Sequence, residues 1–186
     1  GNTNAIELLI KFDYDAASKE VNDGGRQLPL HLTSYNNTNI SSIQALYDAY
    51  PEAILARDEH GDTPLDDARS AENQPAVDFL QTQLVYARQA QDMTAMTTVD
   101  DDGWLPLHCA LKNNASLGSI KLLISGNPAA LNVSDQNGVY PLHIACKFSS
   151  LKVVKYLVEL AGDALNNVDA KNNSLLHYAC QGGNCD

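Results

Sequence analysis

Apolar positions along the chain fall in short helical patches divided by polar turns. In LKVVKYLVEL, residues Leu151, Val154, Leu157 and Val158 sit at i, i+3, i+6 and i+7, one face of a helix. The same reading predicts helices in ISSIQALYDAY from Ile40, in the longer PAVDFLQTQLVYARQA from Pro75, and in SLGSIKLLI from Ser116. Loops of related spelling follow, YPEAILARDEHG, GNPAALNVSDQNG and AGDALNNVDAKNN, and residues 92–100 read as a further loop. A chain that repeats its loops as well as its helices calls for a search for internal repeats.

Five segments superimpose: DGGRQLPLHLT from Asp23, DEHGDTPLDDA from Asp58, DDDGWLPLHCA from Asp100, DQNGVYPLHIA from Asp135 and DAKNNSLLHYA from Asp169. The position eight residues after the leading Asp is His31, Asp66, His108, His143 and His177, at spacings of 35, 42, 35 and 34 residues. Four of the five histidines therefore share one register. Within each unit, Asp and Gly (Asn at Asn172) bracket a tight turn where positive φ is tolerated. Pro29, Pro64, Pro106 and Pro141 suit the first helical position, where a missing N–H costs nothing. Ala68, Ala110, Ala145 and Ala179 let helices approach closely. One such helix pair cannot bury its own apolar faces, so neighbours must stack.

The pattern D-x-x-G-x-x-P-L-H-x-A, repeated at about 35 residues and followed by helices of the V-V-K-Y-L-V type, resembles the ankyrin repeat. The resemblance implies an all-α, helix-pair solenoid with projecting turns and about five repeats. It divides the chain into a trailing half repeat at 1–22, repeat 1 at 23–57, repeat 2 at 58–99 with a lengthened second helix, repeat 3 at 100–134, repeat 4 at 135–168, and the first half of repeat 5 at 169–186. Both ends then read as cut from a longer array or a larger protein, or as ends covered by something else. Four departures stand out. The family's Thr before the Pro occurs only at Thr63, Asp66 replaces the histidine, Leu175 replaces the proline, and Arg26 stands where a Gly is expected. In the family that Thr hydroxyl bonds the motif His, so most units here must satisfy theirs in another way.

Charge narrows the partners. The 186 residues carry 23 acidic and 12 basic side chains, a formal net charge of −11. That balance argues against nucleic acid, which needs clustered Lys and Arg, and toward a basic or mixed protein partner bound in a salt-sensitive way. No apolar run is long enough to span a membrane. Four cysteines, unevenly spread, suit a reduced intracellular, cytoplasmic protein better than a disulfide framework.

Candidate chemistry is sparse. His143/Cys146 and His177/Cys180 are i, i+3 pairs, and His177, Cys180 and Cys185 form the best residual metal set, lacking a fourth ligand. Repeat-equivalent histidines on stacked helices lie on the order of 8–10 Å apart and cannot share one ion. They are read instead as tying the turn of one unit to the next. Asp100-Asp101-Asp102-Gly103 lacks the alternation and closing Glu of a calcium loop. No phosphate loop, nucleophile elbow or C-x-x-C occurs, so no enzyme, cofactor or metal is predicted.

If the chain binds a partner, the resemblance implies contacts from turn tips and first helices. The turn positions are Gln27, Glu59, His60, Asp62, Asp101, Asp102, Trp104, Gln136, Asn137, Val139 and Lys171; the helix positions are Tyr35, Lys112, Asn113, Lys147 and Phe148. Trp104 is either an exposed hot spot or a ring packed across the adjacent turn, and Phe148 carries the same two readings. The expected function is non-catalytic protein–protein interaction. The alternatives are a regulatory or targeting segment of a larger enzyme or channel, and a structural subunit docked in a large assembly.

Overall fold

A computed structural model describes residues 3–20, 26–36 and 39–182. Asp23 and Cys185, used above, lie outside them. The chain divides into two compact units, Gly1–Ala87 and Arg88–Asp186.

In the first unit, α1 (Thr3–Phe12) is followed by α2 (Pro29–Tyr35), α3 (Ile40–Ala49), α4 (Pro64–Ser70) and α5 (Gln74–Gln91), whose last turn from Arg88 belongs to the second unit. Helices α2 and α4 pack side by side, α3 covers α2, and α1 lies on α3. The core is aliphatic, with Leu30, Ile43, Leu46, Ile54, Leu65 and Leu80 buried around Tyr47. The Tyr47 ring meets that of Phe79 edge-on at 5.9 Å.

In the second unit, α6 (Met93–Thr97) precedes α7 (Pro106–Lys112), α8 (Leu117–Gly126), α9 (Pro141–Phe148), α10 (Leu151–Ala161) and α11 (Leu175–Gln181). The first helices of successive pairs, α7, α9 and α11, stack in order, with α8 on α7 and α10 on α9. Every described helix and turn is local in sequence; extended pairing amounts to an isolated bridge between Val168 and Ser174.

Local chemistry explains the boundaries. Proline opens α2, α4, α7 and α9, as the missing N–H allows. Asn39 caps α3 by accepting the Ser41 N–H, and Ser116 caps α8 by accepting that of Ser119. Between α4 and α5, Glu72 takes φ +54°, and Asn73 N–H reaches back to the Ala68 carbonyl; between α7 and α8, Asn114 at φ +50° and Ala115 repeat the device. The return loops contain one tight helical turn each, at Tyr14–Ser18, Pro51–Leu55, Pro128–Asn132 and Gly162–Asn166.

Two expectations change. The segment 92–100 holds α6, because Asp92 Oδ1 accepts the N–H groups of Thr94 and Ala95 and Met96 is buried beneath. In α10 the buried stripe is Val153 and Leu157, while Leu151 and Val158 are exposed and Val154 is half-buried. The helix packs against α9 and α8, which lie on one side of it, so only part of its apolar arc is covered.

Candidate functional site

The turn that opens each motif is built on its leading aspartate. Asp58, Asp100, Asp135 and Asp169 each use Oδ1 to accept the N–H groups two and four residues on, at 2.8–3.1 Å. Their own N–H closes on the carbonyl four residues later. Gly61, Gly103, Gly138 and Asn172 supply the positive φ that the turn demands, and Arg26 adopts φ +48° in the same register.

The motif position then starts the helix. His31, His108, His143 and His177 each place Nδ1 3.2 Å from the backbone N–H three residues before, on Leu28, Leu105, Tyr140 and Ser174. That N–H is one of the donors a helix start leaves unpaired, and the imidazole satisfies it. Asp66 does the same by other means: its Oδ2 accepts the Thr63 N–H and hydroxyl, and the Thr63 Oγ1 accepts the Asp66 N–H. The Thr63 hydroxyl bond holds the Asp66 carboxyl below the usual carboxylate range.

The expected tie from histidine to the next turn forms once among the described hydrogen bonds. His31 Nε2 lies 3.3 Å from the Asp62 carbonyl. His108 and His143 are fully buried, and their Nε2 atoms have no hydrogen-bond partner among the described residues. Burial pushes both rings below the usual histidine range. Other groups join turn to turn instead. Trp104 Nε1 donates to Asp135 Oδ2, Gln136 Nε2 to the Asp101 carbonyl, Ala170 N–H to the Asn137 carbonyl, and Gln27 Nε2 to Asp58 Oδ2 at 3.4 Å. The leading aspartates were legible in the sequence as turn formers; the second oxygen of Asp58 and Asp135, which receives a side chain from the preceding motif, was not.

The candidate contact residues divide by exposure. In the first unit Tyr35, Glu59, His60 and Asp62 are exposed and Gln27 is half-buried. In the second unit Asp101, Asp102, Lys112, Asn113, Gln136, Asn137, Phe148 and Lys171 are exposed, whereas Trp104, Val139 and Lys147 are half-buried. Trp104 stacks on His108 with ring centres 6.2 Å apart, and Lys112 Nζ stands 4.7 Å over the indole. Lys147 Nζ lies 5.3 Å over the Phe148 ring and 3.3 Å from Gln181 Oε1. The exposed tip is acidic at Glu59 and Asp62 in the first unit and at Asp101 and Asp102 in the second, where the later tips carry Gln136, Asn137 and Lys171 beside a first-helix row of amide, amine and aromatic groups.

Among the described residues no three His, Cys, Asp or Glu side chains come together as metal ligands. Burial raises the Cys109 and Cys146 thiols, which makes them poor nucleophiles. No described helix is long and apolar enough to cross a membrane.

Comparison with known proteins follows the same lines. The description "Ankyrin repeats (3 copies)" matches residues 107–186. Mouse Rabankyrin-5 is 33% identical over 82 residues, 44% of this chain and 7% of that protein. Human transient receptor potential cation channel subfamily A member 1 is 34% identical over 90 residues, 47% of this chain and 8% of the channel subunit. The probable 26S proteasome regulatory subunit p28 of Saccharomyces cerevisiae is 27% identical over 159 residues, 83% of this chain and 64% of the subunit. The chain therefore spans less than two thirds of each of these relatives. Ankyrin repeats are a protein-interaction module, generally without catalytic activity of their own. Its recurring turn, histidine-capped first helix and stacked helix pairs agree with that match: residues 107–186 are ankyrin repeats in an all-helical fold.

Proposed function

We propose that the chain is a non-catalytic recognition module that binds another protein through turn tips and first helices. The observation that carries this reading is the division of labour within the turns. One aspartate oxygen closes the turn, which leaves Glu59, His60 and Asp62 on the first unit, and Asp101, Asp102, Asn137 and Lys171 on the second, exposed at its tip. A rigid loop whose outward side chains are not needed for folding is suited to contact, since little ordering entropy remains to be lost.

The acidic tips and the net charge of −11 favour a partner of basic or mixed charge and disfavour nucleic acid. Repeats 1 to 5 would begin at residues 23, 58, 100, 135 and 169, each offering one tip, in an intracellular and cytoplasmic setting. A second reading, that the chain is a regulatory or docking segment of a larger assembly, is favoured by the 83% of its length aligned with a proteasome regulatory subunit.

Affinity capture followed by mass spectrometry identifies the partner, and binding is then compared for wild type, Glu59→Lys and the pair Asp101→Lys with Asp102→Lys. Charge reversal is expected to weaken binding at least tenfold and to flatten its salt dependence. Unchanged affinity in both variants overturns the assignment of the tips as the contact surface.

A further inference from the structure

We propose that the second unit carries an acid trigger: the helix starts at Pro106 and Pro141 are capped by the unprotonated Nδ1 of two buried histidines, so that protonation of His108 and His143 opens this unit in mild acid more steeply than the first unit, which holds one such cap at His31. The proposal rests on the fold and is independent of the recognition reading.

The geometry fixes the protonation state of each ring. A backbone N–H can only donate, so the nitrogen that receives it carries a lone pair. Leu105 and Tyr140 donate to Nδ1 of His108 and His143, which puts the single proton of each neutral ring on Nε2. An imidazolium has N–H on both nitrogens. Its Nδ1–H would face the Leu105 or Tyr140 N–H, and the cap would become a repulsion between donors. The Nε2 atoms are buried with no partner at hydrogen-bond distance among the described residues, although backbone of Val133 and Val139 stands near that of His108 and backbone of Asn167 and Asn173 near that of His143; neither contact relieves the clash at Nδ1.

The surroundings of both rings are defined. His108 lies under the Trp104 indole, beside the Asp100 and Asp135 carboxylates and the backbone of Val133 and Val139. His143 lies between the Tyr140 and Tyr178 rings, at 6.0 and 4.9 Å, beside the Asp135 and Asp169 carboxylates and the backbone of Asn167 and Asn173. The carboxylates favour the charged ring, but the loss of hydration outweighs them and holds both groups low. In the unfolded chain these rings titrate near pH 6.5. Below that value the open state takes up protons that the closed state refuses. The stability is therefore fully present above about pH 6.5 and is lost as pH falls from there. With two such groups, the opening constant rises by up to about 100-fold per pH unit.

The first unit holds one such histidine cap where the second unit holds two buried ones. At its second motif position the cap is Asp66, a carboxylate held below its usual range, which keeps accepting the Thr63 N–H in mild acid. Its one motif histidine, His31, accepts the Leu28 N–H on Nδ1 as its counterparts do, and has the Asp62 carbonyl as a partner for Nε2. Burial raises the neighbouring Asp67 carboxyl, so protonation there relieves a cost and has the opposite sign. The depressed Asp169 of the second unit weakens the fold only below the unfolded carboxylate value of about 3.9, a separate window.

Hydrogen exchange on the 186-residue chain between pH 7.5 and 5, corrected for intrinsic exchange rates, tests the proposal. Amides of α7 and α9 are expected to lose at least tenfold in protection below about pH 6.5, and to lose it with a steeper pH dependence than those of α2 and α4. Transplanting the Thr63/Asp66 cap, as Leu105→Thr with His108→Asp and Tyr140→Thr with His143→Asp, is expected to abolish that loss. If the transplanted chain does not fold, nitrogen-15 imidazole spectra of the wild type decide. The two rings should stay neutral until the unit opens. Titration near pH 6.5 with the second unit still protected, or loss of protection in both units along one curve, overturns the trigger.

Discussion

The indole Nε1 of Trp104 donates to Oδ2 of Asp135 at 3.1 Å, while Oδ1 of the same carboxylate accepts the N–H groups of Asn137 and Val139 at 2.8 Å each. One carboxylate thus closes its own turn with one oxygen and receives the preceding turn with the other. Of the two readings open for the tryptophan, the structure realises the packed one: the ring lies on His108, half-buried, under the Lys112 ammonium. Contact with a partner through its outer edge remains compatible with that arrangement.

Trp104→Phe keeps an aromatic ring over His108 and removes the Nε1 donor. A loss of about 1 kcal/mol is expected from urea denaturation followed by circular dichroism, the value of one hydrogen bond to a carboxylate partly offset by water. Trp104→Ala should lose roughly 2 kcal/mol, since half of a large ring leaves its packing. If partner affinity, compared under conditions where both chains are folded, is the same for wild type and Trp104→Ala, the indole serves the stack alone.

Gly126 ends α8 where a Cβ would stand 2.7 Å from the Ala90 carbonyl oxygen and 3.4 Å from the Met96 methyl. Gly126→Ala is expected to cost about 1–3 kcal/mol, because the obstacle is backbone and cannot rotate away. The Asn127 Nδ2 bond to the Met96 carbonyl lies next to the clash and should be strained with it. A thermal melt comparing this variant with Ser125→Ala, at an exposed position one residue earlier, separates the clash from any effect on helix propensity.

Glu72 holds φ +54°, and Asn114 occupies the equivalent break at φ +50°. Left-handed backbone costs an ordinary residue about 1 kcal/mol and costs glycine or asparagine less. Glu72→Gly is therefore expected to stabilise the chain by roughly 0.5–1 kcal/mol. A urea midpoint that does not rise would show that Glu72 contributes a compensating interaction.

Burial, together with the hydroxyl's bond to Asp169 Oδ2 at 2.9 Å, pushes the Tyr178 phenol up to about 12. A raised value means stability that is present below the unfolded value near 10 and is lost as pH climbs from 10 toward 12. Ultraviolet titration of tyrosinate should show a late phase near pH 12 that disappears in Tyr178→Phe. Its persistence in that variant would assign the phase to another ring.

Much of the fold was legible because its determinants are local. Each motif brings its own turn former, first-position proline and cap, and the spacing of His31, His108, His143 and His177 reports the repeat directly. The failures lie where a distant neighbour decides. Asp92 and Met96 make α6 out of an apparent loop because Met96 has a core to enter. Leu151 and Val158, written as part of an apolar face, are exposed because α9 and α8 cover only one side of α10. Gln27, Trp104 and Lys147 were equivalent in the sequence to their exposed counterparts; the next turn half-buries the first two, and α11 lies against Lys147.

By itself the sequence determined the repeating helix pair and its turn, since φ preference, capping and 3.6-residue periodicity act over a few bonds and need no partner. Only the tertiary structure decided which oxygen of Asp135 serves the neighbouring turn, which imidazoles lose water, and which turn residues keep facing it. Those outcomes depend on what the next unit places a few ångströms away, and hydration is lost or kept there, beyond the reach of spacing along the chain.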